Sequence, residues 1–450
     1  MKDMTKGNPM KLILAFAIPV LLGNVFQQFY TMADTMMVGR ILGVNALAAM
    51  GASTSLANLI IGFASGIAMG SSIMIAQYYG AKDEEGMRHA CAGCVRFCIL
   101  STIVMTIVAL LIKRPSLKLL QTPDSIIDMA DGYLFILYGG LCITMLYNMF
   151  ASMLRAIGDS KTPLYFLIIA SISNVILDYL FIAIFSWGIA GAGIATVIAQ
   201  MLSVVLCFLY IKRRYPIFII KKKDFHVEKA IYHRQISMGI SMGLMNSIVS
   251  LGTVILQSAV NSLGESVIAA QTAARKIVEM FMQPLISIAI ADTTFVSQNL
   301  GAAQYQRIRE GMKKSIVIAL IWVIIVILIS YTCIDVLITL LVDASQKEVI
   351  SLSAFYTRVM SLFYFVLAIL FIYRNGLQGL GNGKIPIVSS TIEMITKTAA
   401  TFLLIPYTGY LGVALAEPIA WCFMAPVLCI FFYKDIRKRE QILSENSKQS

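Results

Sequence analysis

The chain has 450 residues, 58% of them apolar and only 13% charged, with a mean hydropathy of +0.79. A soluble chain carries about 25% charged residues, so this composition excludes a soluble enzyme, a secreted disulfide scaffold and a disordered chain. The net charge of +12 is concentrated in short loops, which points to membrane orientation and not to nucleic acid.

Twelve apolar segments follow in chain order: 12–37, 46–78, 90–112, 132–154, 163–185, 189–211, 236–260, 266–298, 312–334, 350–376, 386–406 and 409–433. Each is long enough to cross a bilayer as a helix. The expected fold class is therefore an all-α polytopic membrane protein with twelve transmembrane helices. The first segment runs past Tyr30, too long for the apolar stretch of a cleavable signal, and reads as a spanning helix. With both termini inside, 26 Lys+Arg fall on the inner side, 5 on the outer side and 5 within helices. The positive-inside rule then predicts cytoplasmic termini. Short loops and no targeting peptide lead us to expect a prokaryotic plasma membrane.

The chain repeats itself. Leu42-Gly43 with Ala48-Ala49 recurs as Leu263-Gly264 with Ala269-Ala270, and Gln77, Gly80 and Ala81 recur as Gln298, Gly301 and Ala302. Gly188 and Gly191 recur as Gly409 and Gly412, and the stretch Leu154–Pro163 recurs as Leu377–Pro386. The offset is 221 residues except in the last pair, where it is 223. Two pseudo-symmetric six-helix bundles are predicted: an N-lobe over 1–211 and a C-lobe over 236–433. A basic cytoplasmic linker, 212–235, joins them, and 434–450 form a cytoplasmic tail. Six is even, so both halves face the same way, the parallel-repeat plan of some secondary transporters. The duplication already supplies two bundles, so a monomer is expected to suffice.

Polar residues inside the spans need reasons, because a mid-bilayer charge costs roughly 2.5–3.5 kcal/mol even on the gentlest scale. In the first segment Asn24, Gln28, Thr31 and Asp34 step along one face. Pro19, one turn earlier, removes a backbone donor and allows a bend. This stripe is read as cavity lining. Gly62, Gly66 and Gly70 form a close-packing face. In the fifth segment Asn174 and Asp178 are four residues apart, and Thr196 lies in the sixth. Asp34, Asn174, Asp178 and Thr196 together offer oxygen ligands for H⁺ or Na⁺. Two neighbouring carboxylates in a low dielectric repel, so such a pair takes up one positive charge reversibly. At the repeat positions Asp34 becomes Ile255 and Thr196 becomes Glu417, while Asn174 falls near Lys397. Lys397 and Glu417 are expected to form an internal ion pair, with Arg275 as a further polar candidate of the C-lobe. The eight Cys read as apolar fillers, since the CxxC at Cys91 and Cys94 has no second ligand pair. The run Gly379–Lys384 lacks P-loop spacing and reads as a turn. No HExxH, paired catalytic His or cofactor motif occurs, so neither an enzyme nor a cofactor is expected.

The run Phe26–Gly51 (FQQFYTMADTMMVGRILGVNALAAMG) and the turn LRAIGDSKTP (Leu154–Pro163) closely resemble the multidrug and toxic compound extrusion (MATE) family. Pro19, Asp34, Asn174, Asp178 and Thr196 are similar to the N-lobe pattern of its DinF-like branch. The resemblance implies cation binding at these positions and bending of the first helix at Pro19. It implies export of organic cations and amphipathic compounds, driven by inward H⁺ or Na⁺. The NorM-like branch has carboxylates in its seventh and tenth helices. Here those stretches read Asn246–Ser250 and Leu362–Val366 without one, which leaves coupling to the N-lobe. The expected substrate surface adds Phe26, Met32 and Met36 to the polar stripe. A competing reading is a flippase for a lipid or lipid-linked substrate, which Arg275 and Lys397 would serve.

Overall fold

The protein is described from a computed structural model that covers residues 3–225 and 228–449. Among the described residues ten helices are long and apolar enough to cross a membrane, and two bent pairs bring the spans to twelve when each pair counts as one. In chain order these are α1 (Pro9–Leu42), α2 (Val44–Ala81), α3 (Glu84–Leu119), α4 (Asp124–Gly139 and Leu141–Ala156), α5 (Lys161–Ile184) and α6 (Gly188–Arg214). The second half holds α7 (Lys229–Asn261), α8 (Glu265–Gly301), α9 (Tyr305–Thr332), α10 (Lys347–Leu362 and Tyr364–Gly379), α11 (Lys384–Thr408) and α12 (Tyr410–Ile442). No strand occurs among the described residues.

The internal repeat is written into the backbone. Positive φ angles occur at Gly43 and Gly264, at Lys82 and Ala303, at Gly158 and Gly381, and at Gly188 and Gly409. Each pair is separated by the same 221 or 223 residues as the sequence repeat. The two bends recur as well: α4 turns by 45° at Gly140 and α10 by 55° at Phe363. Helix starts recur through their caps. Asp159 Oδ1 accepts from the Thr162 N–H at 3.1 Å, opening α5. Asn382 Oδ1 accepts from the Ile385 N–H at 3.3 Å, opening α11. The stretch Gly379–Lys384 is thus a capped turn, as its sequence suggests.

The chain forms two compact units. One is Pro19–Ser247; the other is Met4–Ile18 together with the chain from Ile248 onward. The halves therefore exchange helix segments, and the division falls inside α1 and α7 and not in the linker. Local interactions explain both exchanges. In the second unit the Met4 N–H donates to Gln298 Oε1 at 3.0 Å. The Met4 carbonyl accepts from Asn299 Nδ2 at 3.1 Å and from Arg307 Nη2 at 3.2 Å, while Ile13 and Phe16 are fully buried.

In the first unit the start of α7 lies against α2. Gln235 Nε2 donates to the Ala90 and Ser71 carbonyls at 2.6 and 3.2 Å, and Asn246 Nδ2 donates to the Gly62 carbonyl at 3.0 Å. A Cβ on Gly66 would meet the Gly243 nitrogen at 2.5 Å, and one on Gly70 the Met238 carbonyl oxygen at 2.4 Å. Helices in lipid gain little from apolar burial, so such backbone-to-backbone packing supplies the association. Many hydroxyls inside the spans are satisfied along their own helices, as in Thr54 to Met50, Ser171 to Leu167 and Ser297 to Thr293. Cys91, Cys94 and Cys98 are buried among these helices.

Gly66→Ala is expected to cost about 2 kcal/mol, the usual range for overpacking. Gly62→Ala, whose Cβ meets open space, should stay within about 0.5 kcal/mol of the parent. Thermal unfolding of the two purified variants checks the difference.

Candidate functional site

Asp34 on α1 and Asp178 on α5 are both buried, at 5% and 0% exposure. Each stands beside a change of helical winding. The last turn of α1, Val38–Leu42, is π-helical and begins one turn after Asp34. The last part of α5, Tyr179–Ile184, is π-helical and begins directly after Asp178; there the Phe185 N–H reaches the Leu180 carbonyl, five residues back, at 2.9 Å. A wide turn shifts the side chains before it relative to those after it, and such turns concentrate at working sites. The repeat helices α7 and α11 contain none.

The two carboxyl groups face each other within hydrogen-bonding reach. With both ionised, neither can donate. Asp178 Oδ1 and Oδ2 and Asp34 Oδ1 have no hydrogen-bond partner in the protein, nor do Asn174 Oδ1 and Nδ2. Five buried polar atoms without partners in one place carry a large desolvation cost. A proton shared between the carboxyls, or a hard cation held by their oxygens, removes that cost. Thr196 adds an oxygen: its hydroxyl donates to the Ala192 carbonyl at 3.0 Å and keeps its lone pairs for a ligand.

A cavity of about 160 Å³ lies inside this unit, with Asn174 and Thr196 in its wall. Its other polar groups include Gln27, Tyr30, Asn148 and the pair Thr144–Gln200, whose hydroxyl-to-amide bond is 2.5 Å. The face of α1 differs from the sequence expectation. Gln27 and Tyr30 line the cavity, whereas Asn24, Gln28 and Thr31 do not. Gln27 and Asp34 are seven residues apart and so lie within about 20° around the helix. Gln28 and Thr31 sit on an exposed flank, together with Phe26, Met32 and Met36, which are 39–54% exposed. Those six residues are therefore not part of this cavity's wall. Tyr30 and Tyr133 were not singled out from the sequence, yet both lie in the field of Asp34, and Tyr133 also in that of Asp178.

The second unit has a different arrangement. Lys397 Nζ donates to Glu417 Oε1, and Arg275 Nη1 stands 3.5 Å from the same oxygen. Arg374 donates to Glu393 and to Ser389 Oγ. These side chains line a cavity of about 130 Å³. The expected ion pair of Lys397 and Glu417 is present, and Arg275 joins it. Arg374 was missed because it reads, in isolation, as a charge near a helix end, and Glu393 because its partner lies on another helix.

Comparison with known proteins now decides the family. The MatE family model matches residues 19–180 and again 242–403, two blocks set apart by the repeat offset. The chain belongs to the MatE family. "Probable multidrug resistance protein YoeA" of Bacillus subtilis is 28% identical over 442 residues, covering 95% of this chain and 94% of its own. "Probable multidrug resistance protein YpnP" of the same organism is 30% identical over 307 residues, 68% of each chain. A MATE crystal structure in a bent conformation superposes with a TM-score of 0.90 at 22% identity, over 98% of both chains. This MatE-family chain is a multi-pass membrane transporter and not an enzyme.

Removing one member of a buried ion pair costs about 3–5 kcal/mol, while replacing both by apolar groups is often neutral. Glu417→Leu alone strands both Lys397 and Arg275 and is therefore expected to lower stability more than Glu417→Leu combined with Lys397→Met, which strands Arg275 alone. A double-mutant cycle of thermal midpoints measures it, and equal losses would show the pair to be energetically idle.

Proposed function

We propose that this MatE-family transporter is a multidrug exporter that works as a cation-coupled antiporter with alternating access. The observation that carries the reading is the facing pair Asp34 and Asp178, buried together with no donor from the protein. H⁺ or Na⁺ entering down its gradient neutralises the pair, with Asn174 and Thr196 as further oxygen ligands. Organic cations and amphipathic compounds are the substrate class, in keeping with the printed names of the bacterial relatives. A bound cation and a cationic substrate call on the same two carboxylates and cannot be held together, so one displaces the other. Pro19 leaves the Ala15 carbonyl without its helical donor and gives α1 a place to bend at the boundary between the two units. We take the working unit to be a monomer in a prokaryotic plasma membrane, with both termini in the cytoplasm.

The test is ethidium transport by the full chain in proteoliposomes, with ΔpH and ΔNa⁺ imposed and collapsed in turn. Asp34→Asn and Asp178→Asn are each expected to reduce gradient-driven uptake at least about tenfold, within the usual range of coupling free energies. Only one of the two gradients should drive the parent protein. Uptake that persists in both variants would remove the acid pair from the mechanism. A second measurement follows from the same site: adding ethidium to the parent protein in weakly buffered solution should release protons if H⁺ is the coupled ion. Asp178→Asn should abolish that release.

A further inference from the structure

The landmarks of the repeat show that α5 holds more chain than its counterpart α11. Pro163 and Gly188 stand 25 residues apart, whereas Pro386 and Gly409 stand 23 apart. Two more residues are thus fitted between the same capped start and the same glycine turn. A helix takes up added residues by winding wider, and the π-helical Tyr179–Ile184 does so directly after Asp178. α11 has no such need. It stays α-helical to Thr408, and the Gly409 N–H reaches the Ile405 carbonyl, four residues back, at 2.8 Å.

A π turn is a rare and short-lived winding unless something holds it, and here it is held on three sides. At its end the Trp187 N–H donates to the Phe181 carbonyl, six residues back, at 2.9 Å. This is the closing bond of a Schellman end widened by one residue, and it carries Ser186 into the left-handed region at φ +57°. The closure brings rings together. Trp187 stacks on Phe181 with centroids 4.7 Å apart and planes at 24°, and Phe185 stands 5.5 Å from Trp187. On a second side Phe181 lies against Gly191 of α6, where an added Cβ would be 3.0 Å from the Phe181 Cβ. On the third, Ile182 shares a buried cluster with Val38, which belongs to the π turn of α1, and the two π turns touch.

This lock belongs to the half that carries the acid pair. Counted back from Gly188 and Gly409, Phe181 corresponds to Phe402 and Trp187 to Thr408. Phe181 is 7% exposed and Phe402 is 66% exposed, because Thr408 offers no ring to stack on. Were the turn of α5 to rewind as an α-helix, each residue drawn out of it would swing Asp178 by about 100° around the axis, away from Asp34.

We propose that Phe181 and Trp187 are positioning residues of the acid pair: their stack fixes the wide turn that aims Asp178 at Asp34. The inference rests on the pair as the ion site. Coupling free energies are reciprocal. A stack that favours ion binding is itself strengthened when the ion binds, so the Trp187 ring responds to occupancy of the pair.

The first test is ethidium uptake by the full chain in proteoliposomes, measured against the concentration of the coupled ion. Trp187→Leu is expected to raise the half-saturating concentration about fivefold, as one aromatic pair can supply, with the rate at saturating ion within about twofold of the parent. Trp187→Phe keeps a stacking ring and should recover most of the affinity. Phe402→Leu, at the exposed counterpart, should leave it unchanged. Thermal midpoints are recorded so that a loss counts only in protein that stays folded. The second test needs no transport. Trp322→Phe with Trp421→Phe leaves Trp187 as the sole reporter among the chain's three tryptophans. Its emission should shift saturably on titration with H⁺ or with Na⁺, at about fivefold higher concentration in Phe181→Leu, and Asp178→Asn should abolish the shift. No shift with either ion, or a shift that survives in Asp178→Asn, overturns the proposal. Equal half-saturation in Trp187→Leu and the parent overturns it as well. A shift lost in Asp178→Asn while that substitution leaves ethidium uptake intact upholds the stack's role at the pair and overturns the antiport reading alone.

Discussion

A carboxylate inside an apolar helical bundle must meet either a proton or a positive side chain, because an isolated ion there costs several kcal/mol after every local relaxation. Both units of this chain bury carboxylates deep within their helices and partner them differently, and one of them, Asp292 in the second unit, accepts from the Ser315 hydroxyl and has no ion-pair partner among the described residues. In the second unit Glu417 receives Lys397 and Arg275, and Glu393 receives Arg374. Those charges are neutralised by ion pairs with side chains of the protein itself. In the first unit Asp34 and Asp178 have no cationic partner among the described residues.

Duplication makes this division possible. The backbone rules are shared: the same glycines turn the chain, the same caps open α5 and α11, and the same bends break α4 and α10. Turns and caps are local, so they survive when side chains within the spans are replaced. Polar side chains are bound by no such rule. Thr196 and Glu417 occupy corresponding positions, and the exchange of a hydroxyl for a carboxylate requires a cation nearby, which Lys397 supplies. The same scaffold thus carries an acid pair in one unit and a cluster of ion pairs in the other.

Much of this was legible in the sequence, for identifiable reasons. Apolar segments of spanning length, an offset of 221 residues and the spacing of Asn174 and Asp178 are one-dimensional signals, and each has a direct structural counterpart. The face of α1 was not. Asn24, Gln28 and Thr31 form as regular a stripe as Gln27, Tyr30 and Asp34 do, and periodicity alone does not say which of two overlapping stripes a neighbouring helix covers. The π-helical turns after Asp34 and Asp178 also leave no mark in the composition, since Val38–Leu42 and Tyr179–Ile184 are ordinary apolar sequence. The exchange of helix segments between units was hidden for a further reason. It depends on side chains remote in sequence, such as Gln298 holding Met4, and no local pattern announces it.

The position of the exchange bears on how the first unit can respond to charge. α1 and α7 each belong to both units, and α1 passes from one to the other between Ile18 and Pro19. At that residue the ladder lacks a donor, so turning the helix there breaks no hydrogen bond that proline could have made. α7 crosses between Ser247 and Ile248, in a stretch with no proline, and its early turns are held to α2 by glycine contacts and by Gln235 and Asn246. The two crossings are therefore mechanically unequal. The compliant one carries Asp34 on the same helix, four turns beyond the proline, and the stiff one carries no carboxylate within its span.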